Sequence, residues 1–344
     1  MSPGRRSLLL IGWFAFLCAS LFGQEGLQQF VHLGDLKLKS GEVLHDCRIG
    51  YRTFGKVNDS HSNVILFPTW AGGTTEQLSG AIGTGKLADS SKYFVIAVDA
   101  LSNGVSSSPS NSAAQARMRF PRITIRDMVE SQHRLLIETL GIHHLRAVMG
   151  ISMGGMQTFQ WMVSYPDFMD KAIPIVGSPR LAAYDLVLWQ AQIDSIMNDS
   201  AWQGGDYKES PAKAAHAEFG ALVLTTPQHY NAQTTREQAL ASLSQAKTDT
   251  AYDANNHLRQ DQAMMALDVS DAFGGSMEKA AAAVKAKVLA VVAVQDHTVT
   301  PGPALEFGKL IHAEILTVDN ECGHQLTNCE NDRVVSAVSD FLQK

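Results

Sequence analysis

The segment Gly150-Ile151-Ser152-Met153-Gly154 has the spacing G-x-S-x-G and lies between an apolar run at 147–149 and a helical pattern at 153–165. Between a strand and a helix, this spacing predicts a sharp turn that raises the serine hydroxyl above the edge of a sheet. Glycines on both sides favour the turn because they carry no side chain to collide with the neighbouring backbone. We therefore predict that Ser152 is a nucleophile; the alternative is a chance match at a helix N-terminus.

Strand and helix patterns alternate along most of the chain. Apolar, β-branched runs predict buried strands, and apolar residues at helical spacing predict the helices between them. The predicted strands cover 63–67, 93–98, 147–149, 171–176, 288–294 and 315–318, and the predicted helices cover 125–140, 153–165 and 334–342. This order indicates an α/β fold with a mostly parallel central sheet and helices on both faces.

Residues 181–275 follow a different pattern. They are rich in Ala, Gln and Asp, with helical stretches and no convincing strand. We interpret them as a helical cap inserted into a core made of residues 24–180 and 276–344.

The N-terminus has the pattern of a secretory signal peptide. Arg5 and Arg6 precede an apolar run at 8–17, and small residues including Ser20 and Gly23 follow. This arrangement predicts a signal peptide at 1–23 and export to the periplasm or the medium. The run is short for a permanent membrane anchor, which is the alternative. The sequence does not choose the cleavage site.

The composition is that of an ordinary globular protein. The chain has 344 residues, of which 45% are hydrophobic and 18% charged, and its net charge is −6. These values exclude a disordered chain, which needs low hydrophobicity and high charge. A negative balance without a run of Lys or Arg argues against a nucleic-acid-binding protein.

Asp296 is the predicted catalytic acid. A serine hydroxyl is unreactive at neutral pH unless a base takes its proton and an acid orients that base. In folds with this serine turn, the chain order is serine, acid, histidine. Asp296 follows the predicted strand 288–294, which places it at the carboxyl edge of the sheet. Asp319, after the next strand, is the competitor, and a turn-capping role for Asp296 is the other alternative.

His324 is the predicted base. It follows Gly323 in a loop between the acid's position and the final helix. The chain has 12 histidines, so position rather than residue type selects this one. His297 and His312 are the alternatives, and we interpret them as surface or supporting residues.

A tetrahedral oxyanion needs backbone N–H donors that are fixed in advance. We expect one from Met153, which follows the nucleophile. We expect the second from the loop 68–73 after the strand 63–67, with Trp70 preferred and Ala71 as the alternative.

Three cysteines follow the predicted signal peptide. In an oxidising compartment Cys322 and Cys329 could close a small loop that would brace the segment carrying His324; free thiols are the alternative. We expect Cys47 to be a small buried hydrophobic residue. No Cys and His spacing suits a metal site, so no bound metal is expected.

Several blocks together carry a family resemblance. They are Phe120-Pro-Arg-Ile-Thr-Ile-Arg-Asp-Met-Val129, Gly150-Ile-Ser-Met-Gly-Gly-Met-Gln157 and Tyr252-Asp-Ala-Asn-Asn-His-Leu258. With Asp296 and His324, the chain resembles the homoserine O-acetyltransferase family of the α/β-hydrolase superfamily over most of residues 35–343. The resemblance implies the α/β-hydrolase fold and a two-step reaction in which Ser152 is transiently acylated. It implies that the enzyme needs no cofactor and that acyl-CoA enters only as a co-substrate. It also implies a homodimer formed through the cap.

Two departures from the family concern the acceptor of the acyl group. The family has an Asp directly after the catalytic His for the acceptor's amino group, whereas this chain has the neutral Gln325, a substrate-pocket candidate. The family's cap also supplies an Arg for the acceptor's carboxylate, and between 230 and 250 this chain has only Arg236.

Three hypotheses about function therefore stand. They are acyl transfer to an unidentified acceptor, an exported esterase that uses water, and a non-catalytic binding protein.

Overall fold

An eight-stranded sheet forms the centre of the molecule, in a computed structural model that describes residues 25–344. The predicted signal peptide at 1–23 lies outside these residues. The strands are β1 Gln29–His32, β2 Leu36–Lys37, β3 Val43–Leu44, β4 Arg48–Phe54, β5 Val64–Pro68, β6 Phe94–Val98, β7 Leu145–Ile151, β8 Met169–Ile175, β9 Lys287–Ala293 and β10 Glu314–Val318. Their order in the sheet is β1-β4-β6-β5-β7-β8-β9-β10, and β2 and β3 form a separate pair.

The sheet is parallel from β6 to β10, and only β1 and β4 run antiparallel to their neighbours. Every residue of β5 and β6 is buried, because helices cover both faces of the sheet there. The predicted α/β class with a mostly parallel sheet is confirmed. All six predicted strands are present, and β7 extends beyond the predicted 147–149 at both ends.

Helices flank the sheet on both faces. They are α1 Thr75–Leu78, α2 Ile125–Arg134, α3 Met153–Ser164, α4 Ala183–Met197, α5 Lys213–Val223, α6 Pro227–Gln233, α7 Arg236–Ala246, α8 Ala254–Met265, α9 Met277–Ala283, α10 Gly302–Leu310, α11 Leu326–Cys329 and α12 Asn331–Gln343. A π-helical segment, Leu135–Thr139, continues α2. Within residues 25–344, every helix lacks the length or the apolar character of a bilayer span.

Between β8 and β9 the chain is helical and contributes no strand to the sheet. Helices α4 to α9 occupy this part, and α4 packs against α8. A small apolar cluster of their own, which includes Ile193, Tyr252 and Leu258, lies between them. The cap boundaries 181 and 275 stay a prediction, since no strand or linker marks them.

The turn between β7 and α3 depends on close backbone contacts that only glycine permits. A Cβ on Gly150 would overlap the carbonyl group of Gly154, and one on Gly154 would lie 2.6 Å from the carbonyl oxygen of Pro68. A Cβ on Gly177, after β8, would lie 2.6 Å from the carbonyl carbon of Gly155. The start of α3 therefore packs directly against the loops after β5 and β8.

We expect Gly150→Ala to lower the free energy of unfolding by about 3 kcal/mol, because the added methyl group meets rigid backbone. Urea denaturation measures the change. Gly220→Ala in α5 is the matched control, since its nearest neighbour would be the Leu224 Cδ1 atom at 3.5 Å. Alanine there should raise stability by about 0.5–1 kcal/mol through helix propensity. Equal effects of the two substitutions would contradict the close contact at Gly150.

Candidate active site

Ser152 lies at the turn between β7 and α3 in a backbone conformation that is unusual for a residue with a side chain. Its φ is 58° and its ψ is −121°. Such strain costs about 1–3 kcal/mol and persists only where surrounding contacts fix it. Here the Ser152 N–H donates to the Ile175 carbonyl at 2.9 Å, and the Ser152 carbonyl accepts from the Met156 N–H at 2.9 Å. The side chain is thereby presented at the end of β7.

The structure brings the predicted acid and base to this serine. His324 Nδ1 and Asp296 Oδ2 are 2.7 Å apart, and His324 Nε2 and Ser152 Oγ are 2.8 Å apart. With an ionised Asp296, the imidazole donates through Nδ1–H and its Nε2 accepts the serine proton. The other carboxylate oxygen, Oδ1, accepts from the N–H groups of Thr298 and Val299 at 2.8 and 2.9 Å.

The competing residues lie elsewhere. Asp319 is exposed, and its Oδ1 accepts from Gln295 Nε2 at 3.0 Å. His297 and His312 are also exposed. Of the predicted candidates, only His324 is hydrogen-bonded to Ser152, and Asp296 is hydrogen-bonded to His324.

A disulfide brackets the loop that carries His324. Cys322 and Cys329 are bonded, with their Cα atoms 6.4 Å apart. His229 of α6 lies beside the bridge, with its Nδ1 atom 3.8 Å from Cys322 Sγ. Both sulfurs are committed to the disulfide, so this group offers no thiolate to a metal ion. Gly323, at φ 54°, lets the loop approach the acid, since a Cβ there would lie 2.8 Å from the Gln295 carbonyl oxygen.

The predicted oxyanion donors sit on segments that one buried side chain holds together. Gln157 Nε2 donates to the Thr69 carbonyl at 3.0 Å and to the Met153 carbonyl at 3.2 Å. Within residues 25–344, the N–H groups of Trp70, Ala71 and Met153 donate to no protein acceptor. They are thus available to a substrate oxygen, and Ala71 stays the alternative to Trp70. Sequence reasoning missed the role of Gln157, although it lies in the quoted block 150–157.

Ser152 and His324 open into a cavity of about 600 Å³. Helices α4, α5 and α8 contribute to its wall, and Gln325 lines it, accepting a hydrogen bond from Asn328 Nδ2 at 2.6 Å. No Lys or Arg stands among the lining residues of the described chain. Arg236, the one arginine found at 230–250, is exposed at the start of α7 and does not line the cavity.

Burial shifts the pKa values of the titratable groups that α5 and α8 contribute to the cavity. Burial lowers the pKa of His257 to about 3, and the neighbouring His216 adds to this shift. Burial likewise lowers the pKa of His216 from its ordinary value. Burial raises the pKa of the Asp261 carboxyl to about 8, so this group is mostly protonated at pH 7. These three polar groups of the cavity lining are therefore mostly uncharged at pH 7.

Known proteins share the fold of this chain. The family model for the alpha/beta hydrolase fold matches residues 62–326. The chain belongs to the α/β-hydrolase family. An ethyl acetate hydrolase of Pseudomonas veronii is 34% identical to it over 297 residues, covering 82% of this chain and 84% of that protein. The solved structure of the acetyl esterase MekB has a TM-score of 0.85 at 30% identity, covering 93% of this chain and 98% of that one.

The resemblance to homoserine O-acetyltransferases is confirmed as well. The enzyme of Methanococcoides burtonii is 30% identical over 357 residues, covering 90% of this chain and 72% of that protein. The protein is therefore an α/β-hydrolase-fold enzyme whose relatives transfer or hydrolyse acyl groups, which removes the hypothesis of a non-catalytic binding protein. These relatives include both esterases and transferases, so they do not identify the acceptor of the acyl group in this protein.

We expect the double substitution Cys322→Ser with Cys329→Ser to lower the free energy of unfolding by about 2 kcal/mol. We also expect kcat for an ester substrate to fall by about tenfold, because small errors in the position of the base are costly. Thermal unfolding and steady-state kinetics measure the two effects. Dithiothreitol should reproduce them in the wild type and leave the double variant unaffected. An unchanged kcat in the double variant would show that the bridge does not position His324.

Proposed function

We propose that the protein is a carboxylesterase that hydrolyses esters whose acyl and alcohol parts are both uncharged, with water as the acyl acceptor. The observation that carries this proposal is the uncharged wall of the cavity, which offers no cation to a carboxylate. The neutral Gln325 stands where the transferases have an acid, so an ammonium group also lacks a partner there. An amino-acid acceptor such as homoserine would leave its carboxylate without a cationic partner.

The triad supplies both halves of the reaction. His324 Nε2 takes the Ser152 proton as the Oγ atom attacks the ester carbonyl, and Asp296 stabilises the imidazolium that forms. The N–H groups of Trp70 and Met153 bind the oxyanion of the tetrahedral intermediate. Collapse of the intermediate breaks the ester bond, and His324 returns its proton to the departing alcohol. Water then attacks the acyl-serine with His324 as base, which releases the acid and restores Ser152.

The relatives and the N-terminus support two further parts of the proposal. Relatives named for ethyl acetate and acetyl esters favour a short acyl group. The signal-peptide pattern at 1–23 favours action outside the cytoplasm, where acyl-CoA is not expected as a donor. Exposed apolar side chains on α4, α5 and α7, namely Val187, Leu222 and Leu240, support the dimer that the family resemblance implies.

Acyl transfer to an alcohol is the second candidate, because a homoserine O-acetyltransferase matches nearly the whole chain. Both reactions pass through the same acyl-serine, and water competes with any alcohol for it. The partition of the acyl group between water and added acceptors therefore distinguishes the two functions.

Ser152→Ala should lower kcat/KM for p-nitrophenyl acetate by at least about a thousandfold, because no other hydroxyl of residues 25–344 is hydrogen-bonded to His324. Steady-state kinetics measure the loss, and an unchanged thermal unfolding curve shows that the fold is intact. A fluorophosphonate probe should label the wild type once and leave the variant unlabelled. Retained hydrolysis or labelling in the variant would contradict the assignment of Ser152.

Homoserine and simple alcohols, added to the same assay, should leave acetate release unchanged and yield no new ester. Gln325→Asp should bring no gain with homoserine, because the cavity still lacks a cation for its carboxylate. Mass spectrometry of the products measures the partition. Formation of O-acetylhomoserine by either protein would favour the transferase.

A further inference from the structure

Three buried side chains, Trp161, Gln132 and Gln157, form a continuous chain of hydrogen bonds that ends at the candidate oxyanion segments. The Trp161 N–H donates to Gln132 Oε1 at 2.8 Å, and Gln132 Nε2 donates to Gln157 Oε1 at 2.5 Å. Gln157 Nε2 then donates to the carbonyls of Thr69 and Met153. All five residues are buried, with at most 1% of their surface exposed. We name the three side chains the buried amide chain.

The direction of every hydrogen bond in the buried amide chain is fixed from both ends. An indole N–H can only donate, so the Gln132 atom that Trp161 contacts is the amide oxygen. Gln132 therefore presents its NH₂ group to the amide oxygen of Gln157. At the other end the two backbone carbonyls can only accept, so Gln157 must present its NH₂ group to them. Both ends require the same orientation of the two amides, and turning either amide over would leave buried groups unpaired.

The Thr69 carbonyl that Gln157 holds belongs to the same peptide unit as the Trp70 N–H. This unit is planar and trans, so its carbonyl and its N–H point in opposite directions. A hydrogen bond that fixes the carbonyl therefore also fixes the direction of the N–H. Thr69 is itself held, because its N–H donates to the Val98 carbonyl at 3.1 Å and its hydroxyl oxygen accepts from the Ala100 N–H at 3.1 Å.

The alternative donor, the Ala71 N–H, belongs to a peptide unit that the buried amide chain does not contact. The carbonyl of that unit is that of Trp70, and it accepts from the Gly73 N–H at 3.1 Å within the same turn. The buried amide chain thus acts on the Trp70 N–H. Through the Met153 carbonyl it also ties the first turn of α3 to this loop.

We propose that the buried amide chain aims the Trp70 N–H at the oxyanion, so that Trp70 rather than Ala71 supplies the second donor. Trp161, Gln132 and Gln157 are thus positioning residues. This inference rests on the proposed esterase function and deepens it. Loss of the buried amide chain should lower kcat and leave KM nearly unchanged, because the oxyanion forms only after the substrate is bound.

The test compares p-nitrophenyl acetate with p-nitrophenyl thionoacetate, in which sulfur replaces the carbonyl oxygen. Sulfur accepts hydrogen bonds weakly, so the ratio of kcat/KM for the two esters, each corrected for uncatalysed hydrolysis, reports the oxyanion donors. Gln157→Met keeps the length of the side chain and removes its NH₂ group. It should lower kcat for the oxygen ester by about a hundredfold, a loss of the size caused by removing one oxyanion donor. The thiono ester should lose far less, so the ratio falls.

Gln132→Met and Trp161→Phe test the buried amide chain at increasing distance from the oxyanion. Each removes one hydrogen bond and leaves the next amide free to turn. We expect kcat for the oxygen ester to fall by about tenfold in Gln132→Met and by less in Trp161→Phe, since a small misplacement of a donor is costly. The pH dependence of kcat/KM should stay unchanged in all variants, because it reports the imidazole of His324, which accepts no hydrogen bond from these side chains.

Gln160→Met is the matched control. Gln160 lies on the same helix and is 6% exposed, and its Nε2 atom donates to Ser164 Oγ at 2.8 Å, at the last residue of α3. Its substitution removes a glutamine amide from α3 without touching the oxyanion loop. We expect kcat and the ratio for the two esters to stay at the wild-type values.

An unchanged kcat in Gln157→Met, or an equal loss for both esters, would overturn the positioning role and leave the esterase function standing. An equal loss in Gln160→Met would also overturn it, because the effect would then belong to α3 as a whole. Circular dichroism shows whether each variant is folded. If Gln157→Met does not fold, wild-type ratios in Gln132→Met and Trp161→Phe would overturn the role. Failure of the wild type to hydrolyse either ester would overturn the proposed function, and this inference with it.

Discussion

The close backbone contact between Gly150 and Gly154 is the constraint on which the site depends. It lets β7 turn directly into α3 with Ser152 at positive φ, and the Ile175 carbonyl holds that strained residue from the neighbouring strand. Any side chain at these glycines would move the start of α3 away from the loop after β5. Ser152 and the two segments that carry the candidate oxyanion donors would then no longer be fixed in position relative to one another.

The parallel sheet explains why distant segments meet at this serine. β5, β7, β9 and β10 end at the same edge, so the loops that follow them gather there. Each loop contributes one part: Trp70 after β5, Ser152 after β7, Asp296 after β9 and His324 after β10. The meeting of these residues depends on strand order, whereas α4, α5 and α8 supply part of the cavity wall.

The sequence predicts the central strands and the triad well, because both leave strong local signals. Continuous apolar runs mark β5 and β6, and chain order selects Asp296 and His324. The sequence does not predict β1 to β3, which are short, or the longer β4, whose apolar residues are interrupted by Arg48, Gly50 and Arg52. Trp189 and Asp261 were not predicted either, since only the packing of α4 against α8 places them in one cavity.

Cys47 is the free cysteine of residues 25–344, and its burial controls the reactivity of its thiol. The residues after the predicted signal peptide contain an odd number of cysteines, and Cys47 has no partner once the other two are bonded. Complete burial raises the pKa of its thiol to about 12, so almost no thiolate exists at neutral pH. The native protein therefore resists both disulfide exchange and covalent cross-linking between copies. That protection begins only when the core has closed, which makes the unfolded chain the form whose thiol is open to oxidation.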